Sequence, residues 1–142
     1  MSYKPQLAEK LKDYAIRHFG PMETMLTCCF DQPEMDEVDC ILTPCETCAQ
    51  TYRKKFPEKK IINLLETIAT CTDFPFPDYH GFEMSIQDTC ATRSNSEMLA
   101  AIRTLLRKMN ISLQEPDKTG TKAKCCGQVL YGKVELEKVE KF

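Results

Sequence analysis

The sequence lacks several features that would assign it to a class of protein at once. It has no tryptophan and only two histidines, so a mixed cysteine–histidine zinc site is poorly supplied. Its 19 basic and 21 acidic residues give none of the basic excess that a nucleic-acid-binding surface carries. No apolar run approaches the roughly 20 residues that a membrane-spanning helix needs. The N-terminus has no apolar signal region, and we therefore expect a cytoplasmic protein.

Cysteine, by contrast, is abundant, with nine in 142 residues. An odd count without a secretory signal argues against a disulfide framework, and in a reducing compartment clustered cysteines more often bind metal or act in catalysis. Adjacent cysteines rarely bond to each other, because disulfide geometry is specific. The vicinal pairs Cys28-Cys29 and Cys125-Cys126 are therefore better explained as ligands of a soft metal centre than as core residues.

The hydrophobic pattern predicts an α/β fold in a single domain over residues 1–142. Strands that alternate with helices imply a mostly parallel sheet flanked by helices. The predicted strands are residues 38–43, 60–64, 82–87 and 111–114, and the predicted helices are residues 5–18, 47–56, 65–71, 96–109 and 134–142.

Two cysteine groups follow predicted strands directly. Cys45-Glu46-Thr47-Cys48 comes after the first strand and opens a helix, whose positive N-terminal end favours the thiolate form. Asp88-Thr89-Cys90 comes after the third strand. Because ligands of parallel sheets gather at the carboxyl ends of strands, we expect Cys45, Cys48 and Cys90 to converge.

Other residues in this pattern receive ordinary structural interpretations. Cys40 is predicted to be a small buried residue of the first strand. Arg103, Arg107 and Lys108 crowd the second half of a strongly amphipathic helix and are predicted to form a solvated face.

Two stretches carry a resemblance to a known family. Asp88 to Arg93, followed by the amphipathic helix and Lys124-Cys125-Cys126-Gly127, resembles the cysteine-rich CCG domain. This domain occurs in the catalytic subunit of heterodisulfide reductase and in related iron–sulfur oxidoreductases. Cys28-Cys29, followed by the Cys-x-x-Cys at residues 45–48, resembles the end of a preceding copy. The resemblance thus divides the chain into the remnant of a first half, residues 1–72, and a second half, residues 73–142.

The resemblance implies a set of cluster ligands. In the family, a single Cys, a vicinal pair and a Cys-x-x-Cys hold a noncubane [4Fe-4S] cluster that acts on disulfides. Cys90, Cys125 and Cys126 match the first three positions. No Cys-x-x-Cys follows Cys126 in this sequence. Either the second motif is truncated, or a compact variant uses one shared site, in which Cys45 and Cys48 would complete the set.

The first vicinal pair departs from the family pattern, since Phe30 follows Cys28-Cys29 where the family has glycine. Cys28 and Cys29 remain further candidate metal ligands. The resemblance implies a flavoprotein or ferredoxin-type redox subunit as partner and a disulfide as substrate. From the residues alone, two alternatives stay open: a zinc-binding structural or regulatory module, and a metal-free thiol–disulfide oxidoreductase that uses Cys45 and Cys48.

Overall fold

Helices and short parallel strands alternate along the chain, which confirms the predicted α/β class. The computed structural model describes residues 5–24 and 35–125. The helices are α1 (Pro5–Phe19), α2 (Glu46–Lys55), α3 (Leu64–Thr70) and α4 (Ser96–Lys108), with a 3-10 helix at Gly120–Lys122, and the strands are β1 (Cys40–Thr43), β2 (Lys60–Asn63), β3 (Phe82–Ser85) and β4 (Ile111–Gln114).

The chain divides into two units, Met1–Val38 and Asp39–Phe142. The first contains α1, on which Tyr14 and Ala15 are buried. Gly20 follows α1 with a left-handed φ of 87°, a conformation that commonly ends a helix. The other helices and strands belong to the second unit. The division into halves at residues 1–72 and 73–142 concerns sequence motifs and stays a prediction.

The strands of the second unit form two separate two-stranded sheets, both parallel. In one, β1 pairs with β2, with Ile41 opposite Ile61; in the other, β3 pairs with β4, with Met84 opposite Leu113. Each pair is linked through a helix, α2 in the first sheet and α4 in the second, as parallel pairing requires. The parallel sheet predicted from the sequence is therefore divided between two βαβ units.

Asparagine side chains begin two of the helices. Asn63, the last residue of β2, accepts a hydrogen bond from the amide of Leu65 at 3.0 Å, so the strand leads into α3 without a loop. Asn95 accepts from the amide of Met98 at 3.0 Å at the start of α4. These caps satisfy amides that a helix N-terminus otherwise leaves unpaired.

The core of the second unit lies where α2, α3 and α4 pack on the strands and where α3 packs against α4. Small and aliphatic side chains dominate it, which allows the two helices to approach closely. Its buried apolar residues are Ile41, Cys48, Ala49, Tyr52, Leu64, Ile68, Ala69, Met98, Leu99, Ala101, Ile111 and Ala123.

One prediction about strand burial is wrong. Cys40 is exposed, because side chains alternate along β1 and the buried positions are Ile41 and Thr43. Every residue of β3 is exposed, and Phe82 reaches 61 % exposure. The described helix α4 packs on β4 rather than on β3, which explains this exposure.

Within residues 5–24 and 35–125, no helix combines the length and hydropathy that crossing a bilayer requires. The predicted final helix at residues 134–142 lies outside the described residues.

Candidate functional site

The Cys-x-x-Cys turn lies at the start of α2, as predicted. Cys45 directly precedes the helix in extended conformation, and its amide donates to Thr43 Oγ1 at 3.3 Å. Cys48 lies in the first turn and is buried at 8 % exposure, whereas Cys45 is exposed. One turn of helix thus separates a thiol in contact with solvent from one enclosed by the core.

Glu46, between these cysteines, is buried at 7 % exposure. Its Oε1 accepts from Asn95 Nδ2 at 3.1 Å, from Gln50 Nε2 at 3.3 Å and from Arg53 Nη1 at 3.4 Å. Its Oε2 accepts from Asn63 Nδ2 at 3.1 Å. Both carboxylate oxygens therefore have donors, which offsets the cost of removing the charge from water.

The same hydrogen bonds connect α2 to the segment that follows Cys90. Gln50 Nε2 also donates at 2.5 Å to the carbonyl oxygen of Ala91, the residue that directly follows Cys90. Asn95, at the other end of this segment, donates to Glu46. The segment is thus held on α2 at both of its ends.

A second buried carboxylate, Asp88, lies just before Cys90. Its side chain is fully buried and forms a two-pronged pair with Arg103, from Nη1 to Oδ1 at 2.7 Å and from Nη2 to Oδ2 at 2.6 Å. Glu115 pairs with the same guanidinium at 2.8 Å from the solvent side. The Arg103 guanidinium outweighs burial and holds the pKa of Asp88 well below its ordinary value. In return, Asp88 first and Glu115 second raise the pKa of Arg103.

Asp88 also anchors the 3-10 helix that leads to Cys125. Oδ2 accepts from Thr119 Oγ1 at 2.6 Å and from the amide of Gly120 at 2.7 Å. Ala123, two residues before Cys125, is buried at 1 % exposure. The Asp-x-Cys stretch and the approach to the second vicinal pair are therefore joined directly.

The predicted ligands differ in how far they are described. Cys90 is exposed and Cys125 is half-buried. Cys28, Cys29 and Cys126 lie outside the described residues. The five-cysteine set stays a prediction.

Ligand atoms are not gathered tightly enough for a mononuclear site in the described part of the second unit. Between residues 39 and 125, no three cysteine, histidine or acidic ligand atoms lie within 4.8 Å of one another. Four thiolates on one zinc ion, at about 2.3 Å from it, would lie about 3.8 Å apart. The side chains described here do not present such a tetrahedron.

A polar groove of about 370 Å³ lies beside the Glu46 network. It is lined by Glu46, Gln50, Arg53 and residues 94–97 at the start of α4. No cysteine lines it, so the groove and the described thiols are separate features of the surface.

The sequence reasoning missed the residues that connect the cysteine segments. Glutamate and glutamine side chains are usually solvated in a helix, and only the distant partners of Glu46 and Gln50 distinguish these two. Arg103 was predicted to lie on a solvated face, which is wrong, because its side chain is only 18 % exposed and pairs with Asp88. A signal was nevertheless present, since an acidic residue two positions before Cys90 and an arginine inside the next helix can form such a pair.

Comparison of this chain with family models, with curated proteins and with solved structures finds no match. The likeness to the CCG family rests on its motifs alone.

Proposed function

We propose that this chain is an iron–sulfur redox domain in which the thiolates of Cys45, Cys48, Cys90, Cys125 and Cys126 hold the cluster. One observation carries the proposal: direct hydrogen bonds join the three segments that bear these cysteines. Glu46 and Gln50 connect the Cys-x-x-Cys helix to the segment after Cys90. Asp88 connects the segment before Cys90 to the 3-10 helix before Cys125.

The chemistry of the donor set supports a cluster. Several thiolates from separate segments are what iron–sulfur clusters require, and soft sulfur ligands favour iron–sulfur clusters or zinc over hard cations. The cluster, when bound, would supply one-electron redox chemistry. The contribution of the protein is to hold the thiolates, limit access of water and tune the potential by hydrogen bonds.

Zinc is less well supported by the described geometry. A single ion draws its ligands to about 3.8 Å from one another, closer than any three ligand atoms described in the second unit. A cluster binds its thiolates through different iron atoms, so its ligands can stand further apart.

We infer the partners from the same chemistry. A flavoprotein or ferredoxin-type subunit would supply electrons, and a disulfide would accept them. Exposed thiols such as Cys40, Cys45 and Cys90 persist in a reducing compartment, which fits a cytoplasmic location.

The experiment is anaerobic purification followed by iron and acid-labile sulfide quantitation and an EPR spectrum of the reduced and oxidised protein. We expect both elements in comparable amounts and an EPR signal that depends on redox state. Cys90→Ser and Cys125→Ser should lose iron, whereas Cys40→Ser, at a cysteine outside the proposed set, should retain it. Protein that stays iron-free after anaerobic reconstitution would overturn the proposal.

A second candidate is metal-free thiol–disulfide exchange, which the unequal exposure of Cys45 and Cys48 favours. The Cys45 thiolate would attack a substrate disulfide and release one thiolate. Cys48 would then attack the Cys45 sulfur, release the second thiolate and leave an internal disulfide, so that the dithiol is the two-electron reductant. When metal-free Cys48→Ser protein is treated with glutathione disulfide, it should then accumulate a mixed disulfide between Cys45 and glutathione. Absence of this adduct, while the wild-type dithiol also leaves glutathione disulfide unreduced, would exclude the activity.

A further inference from the structure

Glu46 and Gln50 together form a clamp between two cysteine segments. Glu46 directly follows Cys45 in the chain, and Gln50 lies one turn further along α2. Two of their partners beyond α2, Asn95 and Ala91, enclose the segment that starts at Cys90, while Glu46 also accepts from Asn63 of β2. No other hydrogen bond among the described side chains connects α2 to this segment.

The chemistry of the clamp distinguishes it from ordinary packing. A buried carboxylate is a poor source of stability, because an apolar side chain of similar volume often does as well. Directional bonds to donors far apart in the sequence instead select one arrangement of the segments. Both oxygens of Glu46 already accept hydrogen bonds, so this side chain is not a spare metal ligand.

We propose that Glu46 and Gln50 are positioning residues that hold the Cys45–Cys48 turn against the Cys90 segment before any metal is bound. The proposal rests on the proposed function in one respect, namely that these thiols act together as ligands. Its consequence is that the backbones of the two cysteine segments are already in place in the metal-free protein, so that only the thiol side chains need to turn when a soft metal binds. Metal then enters a folded site, unlike a zinc finger, which folds only when it binds its ion.

The test uses the full-length, reduced, metal-free chain and cadmium ion as the probe. Cadmium is followed by the ultraviolet charge-transfer absorption of its thiolate bonds, and far-ultraviolet circular dichroism is recorded at each step. For the wild type we expect saturable binding without a change in helix content. Gln50→Ala should weaken cadmium binding about three- to tenfold, as loss of a net hydrogen bond implies. Glu46→Gln should weaken it as well, since the amide presents a donor to other donors.

Matched controls separate positioning from stability. Thr51→Ala removes a neighbouring side chain on α2 that bonds only to Thr47 within the helix, and it should leave cadmium affinity unchanged. Gln50→Lys keeps a donor that can reach the Ala91 carbonyl, and it should restore most of the affinity. If Glu46→Gln fails to fold, the comparison of the two Gln50 variants still decides.

The outcomes are distinct from those of the proposed function. Unchanged cadmium affinity in Gln50→Ala overturns the positioning role even if the wild type contains iron and sulfide. A gain of helix content as cadmium binds to the wild type also overturns it, because the site would then be formed by the metal. Weakened binding in Gln50→Ala, rescued by Gln50→Lys, supports it even if the wild type takes up no iron.

Discussion

Asp88 offers the sharpest test of how the second unit holds its cysteine segments. Its carboxylate is fully buried and accepts four hydrogen bonds, two from Arg103 and one each from Thr119 and Gly120. Asp88→Ala removes all four acceptors and leaves the guanidinium without its inner partner. Loss of one member of a buried pair costs about 3–5 kcal/mol.

Asp88→Asn is the milder change and should still fold. All four groups that bond to Asp88 are donors. The oxygen of an asparagine side chain can accept from the donors at one oxygen position of Asp88, but its NH₂ group then faces a donor at the other position. Hydrogen bonds to charged groups contribute about 1.5–3 kcal/mol each, and we expect a loss of about 2–3 kcal/mol. The matched control is Glu115→Gln, on the exposed side of the same arginine, which should cost less than about 1 kcal/mol.

The assay is urea unfolding of the metal-free protein, followed by circular dichroism, together with thermal melting. For a chain of this size, about 3–4 °C in Tm accompanies each kcal/mol, so Asp88→Ala should lower Tm by about 10–20 °C. Equal losses in Asp88→Asn and Glu115→Gln would refute the reasoning, because burial would then have no bearing on the strength of the pair. Wild-type stability in Asp88→Ala would refute it outright.

Further predictions concern acid, caps and the exposed strand. The pKa of Asp88 is lowered in the folded protein, so its contribution to the free energy of unfolding is present above about pH 4 and is lost as the pH falls further. The loss should have a slope of up to about 1.4 kcal/mol per pH unit. Urea unfolding measured against pH should show this slope, and Asp88→Asn should flatten it. Asn95→Ala should cost about 1–3 kcal/mol in the same assay, because it removes both the α4 cap and a donor to Glu46; a cost within error of zero would contradict the assigned contacts. Phe82→Ser should change stability by less than about 0.5 kcal/mol, since the side chain is 61 % exposed, and a larger loss would show that β3 is covered.

Local chemistry made much of the fold predictable. The amphipathic period marked α4, and the predicted strand at residues 111–114 coincides with β4. The placement of Cys45 at a helix start followed from a short apolar run, a proline and a change of period. These signals depend on neighbours in the chain, and the structure confirms them.

Burial was less predictable, because it depends on which elements cover a surface. Cys40 and Phe82 both lie in correctly predicted strands and both are exposed, although Cys40 was predicted to be buried. A sheet of two strands has room for little more than one helix on each face, and α4 lies on β4. Alternation of apolar and polar residues along a strand indicates that its two faces differ, but it does not show that either face is covered.

The candidate site shows the same limit. The residue types in Cys45-Glu46-Thr47-Cys48, Asp88-Thr89-Cys90 and Cys125-Cys126 identified the candidate thiol donors. Only the tertiary structure decided that Glu46 and Asp88 join these groups. Their partners lie far away in sequence, and hydrogen bonds between distant segments leave no periodic signal in the chain. The sequence by itself therefore determined the donors, and the packing of α2, α4 and the 3-10 helix decided which segments meet.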